Sequence, residues 1–136
     1  KIIEEKKQIG AIWNSVKIID PAKTELLTIA VVEFIHCYAY KFGGANDEVI
    51  HGHPLRGKGL EPYSAHIIHN SRWLREENKI NSVHRYYRAE TWDKINHYLL
   101  LFHDKMFECL AEGFKIEIVR DSFKHVLKEA LNLMIE

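Results

Sequence analysis

The apolar positions along this chain change period several times, and each change marks an element boundary. Residues 12–19 carry Trp13, Val16, Ile18 and Ile19 ahead of Asp20-Pro21-Ala22-Lys23, where Asp and Pro at the first two positions suit a type I turn. A hairpin is predicted there. Residues 25–42 are dense in Val, Ile, Thr, Phe and Tyr, and the run Thr28-Ile29-Ala30-Val31-Val32 holds β-branched side chains that lose freedom in a helix. The segment is read as a strand. The alternative is a helix opened by Asp20-Pro21, because Leu27, Val31, Phe34 and Tyr38 recur at near-helical spacing. A strand here has apolar side chains on both faces of its middle, which predicts a central position with cover on each side.

Gly43-Gly44 ends that run and opens a region, residues 43–63, that holds five of the seven glycines and two of the three prolines. It has no clean period beyond one helical turn over residues 47–51 behind an Asn46 cap. A loop this long inside a compact domain is uncommon unless it is functional or disordered. Residues 63–69 alternate as a short strand, and Asn70 or Ser71 caps a helix over residues 71–84. Its apolar stripe is narrow: Trp73, Glu77, Ile80 and His84, with Leu74 and Val83 beside them. Residues 85–94 read as a connection with a short helical turn.

Residues 95–120 read as a hairpin. Setting Phe102 opposite Phe107 puts Tyr98, Leu100, Phe102, Phe107, Cys109 and Ala111 on one face, expected to be the core face. The other face then shows His97, Leu99, Leu101, His103, Met106, Glu108, Leu110 and Glu112, with His97 opposite Glu112 and Leu101 opposite Glu108. A one-residue slip would bury Glu108 among aromatics, so the face assignment is fixed by that penalty. Residues 116–119 extend the second strand past Gly113. Asp121 then caps a terminal helix over residues 121–135, with Phe123, Val126, Leu127, Ala130, Leu131 and Met134 as its apolar stripe. The sum is an α+β fold in one globular domain, residues 1–136: a mostly antiparallel sheet of about four or five strands with two packed helices, 71–84 and 121–135.

Charge and composition narrow the function. Lys and Arg balance Asp and Glu at 19 each, which leaves no net field for a phosphate backbone or an anionic membrane. No apolar run approaches the ~20 residues that cross a bilayer, and the first ten residues lack the apolar centre of a secretion signal. A cytoplasmic protein that binds neither nucleic acid nor membrane is expected. Cys37 and Cys109 sit in apolar stretches without CxxC spacing and read as small buried hydrophobes.

Nine histidines are the chemical anomaly. His51-Gly52-His53 offers paired imidazoles, but there is no HExxH helix or Cys-His array, so hydrogen-bonded histidines explain the count better than a metal, and no cofactor is identified. The stretch from Gly52 to Leu60 contains glycines with Arg56 and Lys58, yet it lacks the GKS or GKT ending of a phosphate-binding loop and reads as a tight turn. Asp47, Glu48, His51, His53, Glu61, His103, Asp104 and Glu108 supply carboxylates and imidazoles for acid–base work where they converge. Among them His51, His53, His103, Asp104 and Glu108 are the candidate catalytic residues. For His103-Asp104 the structural alternative is a turn whose side chains bond neighbouring backbone. No GxSxG elbow is present, so a serine nucleophile is disfavoured.

The strings Phe42-Gly43-Gly44-Ala45-Asn46-Asp47-Glu48, Gly52-His53-Pro54-Leu55, Gly59-Leu60, Asn70-Ser71, Asn81-Ser82-Val83-His84 and Phe102-His103-Asp104-Lys105-Met106-Phe107-Glu108-Cys109 together resemble a group of small bacterial proteins of unassigned function. The resemblance covers roughly residues 24–119 and implies a bacterial, self-contained domain without specifying an activity. Two expectations follow from the residues themselves. One is a small-molecule site, open to enzymatic use, where the 43–63 loop meets the 97–112 hairpin. The other is a protein-interaction module, an accessory or neutralising partner protein, that presents a flat apolar patch or forms a homodimer through Leu99, Leu101 and Leu110.

Overall fold

A computed structural model describes residues 25–135; the hairpin expected over residues 12–19 and the turn at Asp20-Pro21 lie outside them. The order of elements is β1 (Leu26–Ile35), β2 (Ala39–Gly43), β3 (Ala65–Ile67), α1 (Arg72–Asn81), α2 (Ala89–Trp92), β4 (Asn96–Leu101), β5 (Met106–Ala111), β6 (Gly113–Ser122) and α3 (Phe123–Leu133). Two antiparallel sheets result, β2-β5-β4-β3 and the pair β1-β6, with α1 and α3 as the longer helices. The fold is α+β. By contacts the chain forms two compact units, Glu33–Lys115 and a unit of the described residues up to Val32 and from Ile116 onward.

Residues 25–42 are strand rather than helix, but they make two strands instead of one. His36 takes a left-handed backbone conformation, φ 49°, and ends β1 three residues before β2 begins. Its Nδ1 lies 2.9 Å from Glu112 Oε2, and the Glu112 N–H donates to the Ile35 carbonyl. The break in the β1–β2 run is thus tied to the junction between β5 and β6. The central, doubly covered position expected for this segment is not found among the described residues. Among the described residues β1 has only β6 as a strand neighbour, and no side chain along it is fully buried.

The β4–β5 register differs from the expected one by two residues. Leu101 faces Met106, Leu100 faces Phe107, Leu99 faces Glu108 and His97 faces Leu110. The turn explains the shift: the Phe102 N–H donates to the Lys105 carbonyl at 2.9 Å, so Phe102 closes a four-residue turn and is half exposed instead of pairing with Phe107. A slip of two keeps every side chain on its side of the sheet. The division into faces therefore holds, and the expected core face is buried at Tyr98, Cys109 and Ala111, but it is not the only core face. On the His97–Glu108 face Leu99, Leu101 and Leu110 are buried as well, with at most 2% exposure. They are core residues, which removes them as the dimer surface suggested by the sequence.

Two apolar clusters cover that face. Ile50 and Leu60 from the 43–63 loop pack with Leu99, Leu101 and Met106, while Trp92, Ile95 and Leu110 gather Ala39, Trp73, Leu74 and Tyr87. The loop is therefore a lid of ordered turns, with 3₁₀ turns at Ile50–Gly52 and Arg56–Lys58, and its apolar side chains anchor it. Gly44 starts it at φ 78°, a backbone conformation that favours glycine, and an added Cβ would stand 3.2 Å from the flexible tip of Met106. On the opposite face Tyr98, Cys109 and Ala111 pack with Phe34, Phe107 and Phe114. Burial pushes the Cys109 thiol up to about 12, with Cys37 beside it, whereas Cys37 itself is exposed and not the buried hydrophobe expected.

Ser71 caps α1, as its position ahead of the helical stripe suggested, by accepting the Leu74 N–H at 3.1 Å. The helix ends at Asn81, and Ile80 and Val83 point into solvent instead of joining the apolar stripe. At α3 the cap is Ser122, which accepts the His125 N–H, while Asp121 holds the Ser122 N–H and the His125 ring. Val126 is the buried side chain of that helix.

Candidate functional site

The two-residue register shift makes the first polar constellation. With His97 opposite Leu110, its ring leans diagonally toward Glu108, and His97 Nε2 lies 2.8 Å from Glu108 Oε2. Its other nitrogen, Nδ1, is 2.8 Å from Ser71 Oγ, and the Trp73 ring stands edge-on to the imidazole at 5.2 Å between centroids. With a proton on Nε2 the ring donates to Glu108, its Nδ1 meets the Ser71 hydroxyl, and the Ser71 oxygen still accepts the Leu74 N–H. Glu108 is held below the usual carboxylate range by the His97 bond, against the opposing cost of burial, with the charges of His97, Lys41 and His53 assisting. Lys41 is the β2 residue paired with Glu108, and its Nζ sits 3.7 Å over the Trp73 ring.

A serine, a histidine and an acid in one chain invite comparison with nucleophilic catalysis. Here the nitrogens are used in the reverse sense: the acid takes Nε2 and the serine takes Nδ1. Ser71 and His97 are each 5% exposed, and the serine oxygen is occupied by the helix cap. The chain is a buried polar strut that fixes α1 to β4 and β5.

The second constellation lies where the 43–63 loop meets the β4–β5 turn. The Asp47 N–H donates to the His103 carbonyl at 3.2 Å, which ties loop to turn. Asp47 Oδ2 accepts the Tyr63 hydroxyl and lies 3.8 Å from His103 Nε2. Tyr63 reaches it from a left-handed backbone conformation, φ 55°. On its other side the His103 Nδ1 contacts Asp104 Oδ1 at 2.8 Å. That bond, then the charges of Asp47 and Asp104, raise the His103 pKa, and the Asp47 bond raises that of Tyr63. Asp47 Oδ1 is buried and has no hydrogen-bond partner among the described residues.

The candidate residues thus divide. His103 and Asp104 stand together with Asp47; Glu108 belongs to the His97 strut with His53 in electrostatic reach; His51 is exposed on its 3₁₀ turn and touches neither group. His53 serves the loop itself, its Nδ1 accepting the Leu55 N–H. The five do not meet in one place. Tyr63 and Lys41 were not among the residues singled out from the sequence, nor were the bonds of Ser71 and Glu108 to His97; for the last, the signal available was its shared face with Glu108. Among the described residues no three His, Cys, Asp or Glu side chains gather as metal ligands, and no helix is long and apolar enough to cross a membrane. The chain matches no protein-family model, no curated protein and no solved structure.

Proposed function

We propose that this chain binds a small polar molecule at the seam between the 43–63 loop and the β4–β5 turn, with Asp47 as the acceptor. The observation that carries the reading is the buried Asp47 Oδ1, which has no hydrogen-bond partner among the described residues. A buried acceptor without a donor costs about 1–3 kcal/mol, more when charged, and a ligand O–H or N–H removes that cost. Tyr63 and the Asp47 backbone bond fix the carboxylate, and His103, its proton held by Asp104 and Asp47, supplies a donor beside it. The ligand class is a small molecule with adjacent hydrogen-bond donor and acceptor groups, such as a hydroxy acid or an amide. Ligand-observed NMR with a set of such fragments tests this. Donor-bearing fragments are expected to bind wild type and to weaken at least about ten-fold in Asp47→Ala, the loss of one charged hydrogen bond. Fragments that bind both proteins equally, or no saturable binding to wild type, would overturn it.

A second reading, self-association, is favoured by β2. This strand has β5 alone as a strand neighbour among the described residues, and its Tyr40 and Phe42 are 72% and 67% exposed. An unpaired edge flanked by exposed aromatics suits pairing with a second copy of the chain. Native mass spectrometry is then expected to give a dimer that Phe42→Lys dissociates; a monomer at high micromolar concentration overturns this reading.

A further inference from the structure

We infer that the chain carries a second ligand site, independent of Asp47, that takes a single-ring aromatic carboxylate. The site is a cleft of about 230 Å³ between Tyr38, just ahead of β2, and the segment from Asn81 to Ile95. Its volume is below the roughly 300–1,000 Å³ of sites for drug-sized molecules, which limits the guest to about one ring and a small substituent.

The walls are aromatic and their positions are fixed. Trp92 and Ile95 form part of the apolar cluster under α1 and α2, so one side of the cleft is core. The Tyr38 ring meets Trp92 edge-on at 4.9 Å, and the Tyr38 hydroxyl accepts from Asn81 Nδ2 at 2.5 Å. Tyr87 is held by its hydroxyl bond to Asn78 Oδ1 at 2.7 Å, while Tyr86 leaves most of its ring in solvent. Aromatic edges and faces placed this way receive a flat ring with little reordering of the protein.

The polar lining sets the charge of the guest. Among the described residues Arg88 and His84 line the cleft and no Asp or Glu does. The His84 Nδ1 accepts the Tyr86 N–H at 3.2 Å, which leaves Nε2 to carry the ring proton as a donor. The Arg88 guanidinium is exposed and makes no hydrogen bond or ion pair with another described residue. Arg85 adds a further positive charge, stacked over Tyr86 at 4.5 Å. A cationic ring, which aromatic walls alone would welcome, meets like charge here. A carboxylate instead finds the planar fork of Arg88, a geometry guanidinium matches with two parallel bonds.

Isothermal titration calorimetry of the whole chain with benzoate, and with benzamidine as a probe of equal shape and opposite charge, tests the assignment. Benzoate is expected to bind saturably and benzamidine at least ten-fold more weakly. Arg88→Gln, an exposed position whose change leaves the core untouched, is expected to weaken benzoate at least about ten-fold, as loss of a charge-assisted bidentate contact does. Asp47→Ala is expected to leave benzoate affinity unchanged, so failure at this cleft and failure at the seam are read separately. The inference is overturned by equal binding of the two probes, by unchanged benzoate affinity in Arg88→Gln, or by the absence of saturable benzoate binding.

Discussion

Leu99→Ala is expected to destabilise the chain by about 2–5 kcal/mol, the usual range for removing a fully buried leucine side chain. Leu99 has no exposed surface, and on its face of the sheet it packs with Ile50 and Leu60, the residues that hold the 43–63 loop down. Part of the cost is lost burial and part is the cavity left behind, because Met106 and Leu101 fill the remaining space and cannot collapse into it without moving the loop. Against a total stability of ~5–15 kcal/mol for a domain, this is a large fraction. Urea unfolding checks it: the midpoint falls while the slope with denaturant stays as in wild type. Val83→Ala, at a site 89% exposed, serves as the reference and is expected to stay within about 0.5 kcal/mol. Amide exchange adds a second readout, since the N–H groups of His53 and Leu60 bond within the loop to Ile50 and Leu55 and are expected to lose protection. A Leu99→Ala protein as stable as Val83→Ala would mean that the loop does not rest on the sheet.

How much of this arrangement the residues disclose depends on the range of the force that sets each feature. The α1 cap was legible because Ser71 meets an N–H three residues away, a contact that needs no tertiary information. The two faces of β4 and β5 were legible because alternation is local and burying Glu108 among aromatics is costly. Their register was not, since a shift of two preserves both conditions and only the Phe102–Lys105 turn bond distinguishes the alternatives. That shift carries His97 from Glu112 to Glu108, so the strut with Ser71 was hidden behind a turn. The break in the 25–42 run depends on His36 entering a left-handed conformation that side-chain pattern does not encode. At the seam, Asp47 and His103 were legible as chemistry but not as neighbours, because 56 positions of chain separate them and the loop returns through apolar anchors at Ile50 and Leu60. The cleft at Tyr38 was invisible for a related reason: residues 85–94 lack periodicity, and Arg88 and Trp92 acquire a common purpose only when β2 brings Tyr38 beside them.

Among polar substitutions the largest effect is expected at Glu108. Its carboxylate accepts the His97 Nε2–H at 2.8 Å, and His97 is 5% exposed, so Glu108→Leu leaves a buried donor with nothing to bond. The expected cost is about 3 kcal/mol, at the low end of what breaking a buried pair costs, because Glu108 keeps 17% of its side chain accessible. Removing both partners relieves the mismatch. The double variant His97→Leu/Glu108→Leu is expected to be less destabilised than the sum of the single changes, and the deficit is the coupling energy of the pair. Acid supplies an independent readout. Glu108 titrates below its ordinary value in the folded chain, so it binds fewer protons there than in the unfolded chain once pH drops toward the normal carboxylate range near ~4.3. Its stabilising contribution is fully present above that unfolded value and disappears as pH falls through the lower folded one. As pH falls from about 5 through the carboxylate range, wild type is therefore expected to lose stability more steeply than Glu108→Gln, which has no carboxylate at this position to protonate. Asp121, held low by its bonds to His125 and the Ser122 N–H, contributes in the same direction but equally in both proteins, so the difference curve isolates Glu108. Parallel acid curves for the two proteins, together with additive single and double changes, would show that the imidazole and the carboxylate are neighbours without being partners.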